Sequence, residues 1–183
     1  MPKKITINIG EYYASKEAAT IYTLLGSCVA VCLYDPINRV GGMNHILLPG
    51  KADLKHFDAS ARFGMNAIEL LINAIMGLGG DRRKIVAKAF GGGYVLPSIA
   101  EENGMGQKIV GFVKEFLHNE RVKIISYDFG DTVIRKVFFH TDTGDVFLKR
   151  INSTVYPDVG ITEKKWSERL KREVKRPGKI DLF

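Results

Sequence analysis

Apolar residues along this chain recur either at every second position and in short continuous runs, or at every third to fourth position. The first pattern predicts strands and the second predicts amphipathic helices. Strand patterns occupy the opening ITINIGEYY and the segments 28–34, 40–48, 84–90, 122–127, 133–140 and 145–151. Turn-forming sequences such as Asp142-Thr143-Gly144 separate neighbouring segments. We therefore expect six or seven strands that pair mostly as hairpins.

Helical spacing is present in three segments. The apolar residues of the first two are Ile68, Leu71, Ile72, Ile75 and Leu78, and Ile109, Val110, Val113, Phe116 and Leu117. They predict a helix over about 59–78 and a second helix around 109–117. Trp166, Leu170 and Val174, each four apart, predict a short basic helix near the C-terminus. This combination is typical of an α+β fold with largely antiparallel sheets, not of a doubly wound nucleotide-binding fold.

The composition is that of an ordinary globular protein. Of the 183 residues, 45% are hydrophobic and 26% are charged. A chain of this length is enough for one domain with a sizeable core. We predict a domain over residues 1–160 and a basic helical extension over 161–183. No apolar run has the length of a membrane span, and the N-terminus lacks a signal-peptide pattern. We therefore expect a cytoplasmic protein without membrane insertion.

The formal net charge of +7 raises the question of nucleic-acid binding. Between residues 162 and 183, eight Lys and Arg side chains accompany only four acidic ones, so this tail carries +4 of the excess. A basic tail is more often a solvated face or a docking aid than a specific reader of nucleic acid. The rest of the chain also lacks the interleaved aromatic and basic residues of single-strand binders. Nucleic acid is therefore not an expected partner.

The two cysteines, Cys28 and Cys32, lie four residues apart around one predicted strand. That spacing suits neither a disulfide nor a zinc site, and no second Cys/His pair completes a metal site. We therefore expect two free thiols and no metal. Cys32 is interpreted as a core residue. Cys28 is either a small buried hydrophobic residue or a reactive thiol.

The sequence around Cys28 favours the reactive interpretation. Gly26 and Ser27 precede it at a predicted turn. A glycine at this point leaves room for a substrate to approach the sulfur. It also leaves the backbone N–H groups of Ser27 and Cys28 available to bind a developing oxyanion.

His45 on the following predicted strand is the candidate base. If the turn is centred between Ile37 and Asn38, His45 pairs with Ala30, and Cys28 lies diagonally across on the same face. A three-residue turn would instead place Cys28 and His45 on opposite faces. A neighbouring imidazole makes a thiol reactive because the imidazolium stabilises the thiolate. Alone, His45 would more often be a core histidine with satisfied hydrogen bonds.

The segments TLLGSCVAVCLYDP (23–36) and GGMNHILLP (41–49) strongly resemble the CheD family of chemoreceptor glutamine deamidases. The resemblance continues in AKAFGG (87–92), in DFG (128–130) and in RKVFF (135–139), and it covers about residues 5–150. We expect the tail from residue 161 to lie beyond it. The run Gly91-Gly92-Gly93 is interpreted as a tight turn near the active-site face, since no Lys-Ser/Thr follows as in a phosphate-binding loop.

The resemblance implies a fold and a set of site residues. CheD proteins are similar to the catalytic domain of the bacterial cytotoxic necrotizing factors, which implies stacked sheets flanked by helices. The family's nucleophilic cysteine falls on Cys28, its histidine on His45, and its third polar member on Thr23. Thr23 is also an ordinary strand-former, so a purely structural role is an open alternative.

The resemblance also implies an activity and partners. Cys28 would attack glutamine side chains of methyl-accepting chemotaxis receptors through a thioester, with no cofactor. The alternative is a non-catalytic regulatory partner of the phosphatase CheC. The tail helix could dock on the body, on a receptor bundle or on an acidic partner, and packing of Trp166 on the core is the favoured interpretation.

Overall fold

The computed structural model describes residues 2–47, 64–95 and 104–175. Within these ranges the chain forms nine strands and three α-helices. In chain order they are β1 (Lys3–Thr6), β2 (Tyr12–Ser15), β3 (Ala19–Leu25), β4 (Val29–Asp35), β5 (Val40–Ile46), α1 (Gly64–Gly77), β6 (Val86–Gly91), α2 (Met105–Asn119), β7 (Lys123–Phe129), β8 (Val133–His140), β9 (Val146–Asn152) and α3 (Asp158–Lys175).

The strands form two sheets. The outer sheet has the order β1-β3-β8-β9, and the central sheet has the order β2-β5-β4-β6-β7. β1 runs parallel to β3 and β6 runs parallel to β7, whereas the other five neighbouring pairs are antiparallel. The predicted α+β class with largely antiparallel sheets is therefore confirmed.

The central sheet is covered on both faces. Val29, Val31 and Leu33 on one face of β4 pack with α1 and α2. Ala30 and Cys32 on the other face pack in the layer between the two sheets, together with residues of β3 and β8. A strand that is buried on both sides has no polar face, which explains the nearly continuous apolar run of β4.

The N-terminal segment does not form the single strand that its alternation predicts. β1 belongs to the outer sheet and β2 to the central sheet. Between them, the backbone N–H of Glu11 donates to the carbonyl oxygen of Asn8 at 3.0 Å, and Gly10 has a φ of +81°. Glycine adopts this left-handed conformation without strain. The chain therefore turns here and crosses between sheets, which adds one strand to the seven predicted segments. β3 is the second addition, since the sequence pattern predicted no strand over its residues.

The two predicted body helices are confirmed as α1 and α2. α1 begins at Gly64 within the described residues, and positions 59–63 of the predicted helix lie outside them. α2 begins at Met105, before the first apolar residue of its pattern. Among the described residues, no helix combines the length and apolarity that crossing a bilayer requires.

The β4–β5 hairpin has the register that places the two candidate catalytic residues on one face. Ala30 lies opposite His45, as a turn centred between Ile37 and Asn38 predicts. Cys28 precedes Ala30 by two positions and therefore faces the same layer between the sheets. The alternative three-residue turn is not formed.

The carboxylate of Asp35 holds this turn in place. Its Oδ1 accepts hydrogen bonds from the backbone N–H groups of Ile37 at 2.9 Å and Asn38 at 3.0 Å. Its Oδ2 accepts from Asn38 Nδ2 and from the backbone N–H of Asp81, both at 2.7 Å. Burial by itself would raise the pKa of Asp35, but these hydrogen bonds outweigh burial and hold the pKa below its ordinary value.

Asp35→Ala is expected to lower the free energy of unfolding by about 3 kcal/mol at pH 7, because the backbone N–H groups of Ile37, Asn38 and Asp81 lose a charged acceptor. Urea denaturation measures the change. The matched control is Asp145→Ala, which removes an exposed carboxylate between β8 and β9 and should change stability by less than about 0.5 kcal/mol.

The same carboxylate predicts a pH dependence. Because its folded-state pKa is lowered, its stabilisation is complete above about pH 4, the unfolded value, and is lost as pH falls through the folded value. Asp35→Asn should therefore lose less stability than the wild type on acidification. An equal loss would contradict the role assigned to Asp35.

Candidate active site

Cys28 lies at the end of the β3–β4 connection, immediately before β4, and its side chain is completely buried between the sheets. The run Gly91-Gly92-Gly93 at the end of β6 holds its backbone. The N–H of Gly92 donates to the carbonyl oxygen of Cys28 at 2.8 Å, and the N–H of Gly93 donates to that of Gly26 at 3.0 Å. The glycine run therefore lies against the active-site segment, as the sequence interpretation expects.

Gly91 has to be glycine for this contact. Its φ is +120°, and a Cβ atom at this position would lie 2.1 Å from the carbonyl oxygen of Cys28. No side chain fits at that distance, so any substitution would displace the backbone that carries the thiol.

His45 lies on β5 and is 3% exposed. One of its ring nitrogens, the sulfur of Cys28 and a carboxylate oxygen of Glu163 all lie within 4.8 Å of one another. The structure therefore brings together the two residues that the sequence pairs, and it adds a third that the sequence analysis did not select.

Thr23 reaches His45 from the other sheet. It lies on β3, and its Oγ1 is 2.8 Å from His45 Nδ1 and 2.8 Å from the carbonyl oxygen of Ile7. A carbonyl oxygen can only accept, so the single hydroxyl hydrogen of Thr23 is donated to Ile7. Toward His45 the hydroxyl therefore accepts, which assigns a proton to Nδ1 and leaves the lone pair on Nε2.

This tautomer leaves His45 ready to accept a proton. Among the described residues, His45 Nε2 has no hydrogen-bond partner. Burial lowers the pKa of His45 to about 3, because a charged imidazolium would be desolvated between the sheets. The imidazole is therefore neutral at physiological pH.

α3 inserts the carboxylate of Glu163 into the same site. Glu163 is 3% exposed. Its Oε1 accepts a hydrogen bond from the backbone N–H of Gly26 at 2.8 Å, and its Oε2 accepts from the N–H of Ser27 at 2.6 Å and from Ser27 Oγ at 2.7 Å. The tail helix therefore docks on the body. Its Trp166 is 38% exposed, so the expected packing of this ring on the core is only partial.

Glu163 also affects the thiol. Burial raises the pKa of Cys28, and the negative charge of Glu163 and a hydrogen bond to its carboxylate raise it further. With α3 docked, the site therefore holds a protonated thiol beside a neutral imidazole.

A protein-family model described as CheD chemotactic sensory transduction matches residues 47–150. The chain is also 40% identical to the probable chemoreceptor glutamine deamidase CheD 1 of Shewanella oneidensis, over 95% of this chain and 84% of that protein. The chain belongs to the CheD family. The probable chemoreceptor glutamine deamidase CheD of Methylobacillus flagellatus is 37% identical over 95% of this chain and 86% of its own. The probable chemoreceptor glutamine deamidase CheD 2 of Chromobacterium violaceum is 43% identical over 79% of this chain and 72% of that protein.

The similarity to CheD proteins extends further than the sequence motifs indicate. The alignment with the Shewanella oneidensis protein covers 95% of the chain and so leaves about nine residues out. It therefore enters the 161–183 segment, and the expectation that this segment lies wholly beyond the resemblance was wrong.

Two parts of the site were missed by the sequence analysis. One is the backbone N–H of Gly26, which binds the carboxylate together with Ser27. The other is Glu163, which was counted only as a charge of the tail. Its spacing is the one available signal: it precedes Trp166 by three residues and so lies on the predicted apolar face of the helix.

Cys28, His45 and Glu163 are also a candidate metal-binding group, because thiolate, imidazole and carboxylate are all zinc ligands. The hydrogen bonds argue against this use. The oxygens of Glu163 already accept three of them from Gly26 and Ser27. Glu163 is therefore better explained as a hydrogen-bonded carboxylate than as a metal ligand.

Two openings lead toward the site, and α3 borders both. A cleft of about 180 Å³ is lined in part by Ser27, Tyr94 and Glu163. A groove of about 670 Å³ is lined in part by His45, Glu163 and Trp166. α3 therefore forms part of the wall of both openings.

Thr23→Val is expected to remove the preference of His45 for one tautomer, because valine keeps the shape of threonine but cannot accept a hydrogen bond from Nδ1. ¹⁵N–¹H NMR of the imidazole measures the result. The wild type should show a neutral ring protonated on Nδ1 at pH 5, whereas the valine variant should show a mixture of tautomers. Thr23→Ser is the control and should preserve the wild-type signal. A wild-type ring protonated on Nε2 would contradict the assignment.

Proposed function

We propose that this chain deamidates glutamine side chains of chemoreceptors, with Cys28 as the nucleophile and His45 as the base. The observation that carries the proposal is the hydrogen bond from His45 Nδ1 to Thr23, which leaves the lone pair on Nε2 of an imidazole that has a ring nitrogen within 4.8 Å of the Cys28 sulfur. The names of the CheD relatives, as probable chemoreceptor glutamine deamidases, supply the substrate.

In the first half of the reaction, His45 Nε2 takes the proton of Cys28. The thiolate then attacks the carbon of the glutamine carboxamide. The amide oxygen becomes an oxyanion, which the N–H groups of Gly26 and Ser27 stabilise. These donors already bind a carboxylate in the structure, which supports this role. The N–H of Cys28, expected from sequence as a further donor, stays a prediction.

In the second half, the His45 imidazolium protonates the departing ammonia and leaves a γ-glutamyl thioester on Cys28. The neutral imidazole then takes a proton from water, and the hydroxide attacks the thioester carbon. The C–S bond breaks, the thiol is restored and glutamate leaves. One amide and one water are thus converted into one carboxylate and one ammonium ion, with no cofactor in either half.

Thr23 is proposed as a positioning residue, since it acts on the reaction through His45. Its hydroxyl selects the tautomer in which Nε2, the nitrogen proposed to take the proton of Cys28, is unprotonated. The boundary at residue 160, the cytoplasmic location and the similarity to the cytotoxic necrotizing factors stay predictions from the sequence.

Cys28→Ala should abolish deamidation, with a fall of at least about 10³-fold in kcat, because the nucleophile is lost. Mass spectrometry of a purified chemoreceptor incubated with each variant measures the conversion of glutamine to glutamate. Cys32→Ala is the matched control. Burial raises the pKa of that second thiol, and it lies in the core, so its loss should leave the rate close to that of the wild type.

Undiminished conversion by Cys28→Ala would end the mechanism. The same variant tests the alternative that the sequence resemblance implies, a regulatory partner of CheC. A protein that never modifies chemoreceptors, but whose Cys28→Ala variant binds CheC and stimulates its phosphatase activity as the wild type does, would favour that alternative.

A further inference from the structure

The carboxylate of Glu163 lies where the proposed reaction would hold its product. Glutamate is the product of glutamine deamidation, and Glu163 brings that side chain to Cys28 on a helix. Three hydrogen bonds from Gly26 and Ser27 hold its two oxygens.

We infer that the Gly26–Ser27 segment is a binding site for a glutamyl γ-carboxyl group, and that α3 fills this site in the same chain as a mimic of the product. The inference rests on the proposed function for the identity of the product. It assigns to α3 the place that a substrate helix takes, so substrate and tail compete for one groove.

The partners of Glu163 support a binding site over a structural ion pair. Among the residues that the structure describes, the hydrogen-bond donors to Glu163 are neutral N–H, O–H and S–H groups, and no ion pair involves this carboxylate. Neutral donors that converge on one point are what an oxyanion-binding site provides. A carboxylate used only to fasten a basic helix would more commonly meet Lys or Arg, because burial of an unpaired charge is costly.

The electrostatic effect of Glu163 is opposite to that of a catalytic partner. A nucleophilic cysteine needs neighbours that stabilise the thiolate. The charge of Glu163 stabilises the protonated thiol and raises the pKa of Cys28. The docked helix therefore closes the site physically and also disfavours its reactive form.

The fit between α3 and the active-site segment depends on Gly26. A Cβ atom on Gly26 would lie 2.8 Å from Glu163 Oε2, 2.9 Å from a methyl group of Val95 and 3.1 Å from one of Val159. The absence of a side chain at this position is what lets a helix-borne carboxyl group reach the two N–H groups.

The first experiment measures access to Cys28 without any deamidase assay. Full-length protein is treated with iodoacetamide, and peptide mass spectrometry follows the labelling of Cys28. Glu163→Ala should label at least about tenfold faster than the wild type, because α3 loses its anchor and the thiol loses the charge that raises its pKa. The matched control is Glu168→Ala, an exposed acid on the same helix, which should label as the wild type does.

Labelling of Cys32 distinguishes a displacement of α3 from unfolding of the core. Cys32 is 1% exposed in the core and should stay unlabelled in every variant. If Glu163→Ala labels Cys28 at the wild-type rate, the inference is overturned. If that variant labels both cysteines, a synthetic peptide of residues 158–175 decides. Restored protection of Cys28 by the added peptide supports a docked helix, and no protection overturns it.

The second experiment measures competition on a chemoreceptor substrate. Glu163→Ala should deamidate the receptor at least about tenfold faster than the wild type at low substrate concentration, since binding no longer has to displace α3. The 158–175 peptide should inhibit this variant competitively and raise KM with kcat unchanged. A peptide with alanine in place of Glu163 is the control and should inhibit much less. Equal inhibition by both peptides would overturn the product-mimic assignment.

The two experiments separate this inference from the proposed function. Equal receptor deamidation by the wild type and Glu163→Ala would keep the function and overturn the inference. Fast labelling of Cys28 in Glu163→Ala, with receptors left unmodified by every variant, would keep α3 as the occupant of the site and overturn the function.

Discussion

The pairing register of β4 with β5 is the constraint on which the site depends. With Ala30 opposite His45, Cys28 and His45 both face the layer between the sheets. A slip of one residue would turn His45 toward α1 and α2 and separate it from the thiol. Burial of both faces of the central sheet resists such a slip, because every side chain would enter the wrong layer.

Hydrogen bonds at the β4–β5 turn stabilise the same register. Asp35 links the hairpin turn to the segment that leads into β6 through the N–H of Asp81. The position of Cys28 and His45 is thus coupled to a hydrogen-bonded turn at the opposite end of the strands. The glycines after β6 complete the arrangement by holding the backbone of Cys28.

Burial in the layer between the sheets determines the protonation of the site. Burial disfavours both thiolate and imidazolium, so the pair rests in its neutral form. The hydrogen bond to Thr23 satisfies one nitrogen and leaves the other as a base. Donors that stabilise an oxyanion also bind a carboxylate, which is why one small site can serve both the reaction and the proposed occupation by Glu163. In the proposed mechanism, reactivity and closure therefore depend on the same few N–H groups.

The sequence by itself indicated those features of the fold that depend on residues close together along the chain. Side-chain alternation and the turn chemistry of residues 35–39, both of which are local, left two registers open, and the structure has the one that pairs Ala30 with His45. The α+β class follows from the same short patterns. The CheD motifs pointed to Cys28, His45 and Thr23, although alternation alone could not tell an orienting threonine from an ordinary strand residue.

Tertiary structure decided which surfaces meet. β1 and β2 share one alternating pattern but enter different sheets, because alternation defines a face and not the sheet that covers it. Thr23 meets His45 only because the two sheets stack. Glu163 reaches Ser27 across 136 positions of sequence. Such contacts depend on the packing of whole layers and helices, which no local spacing of residues records.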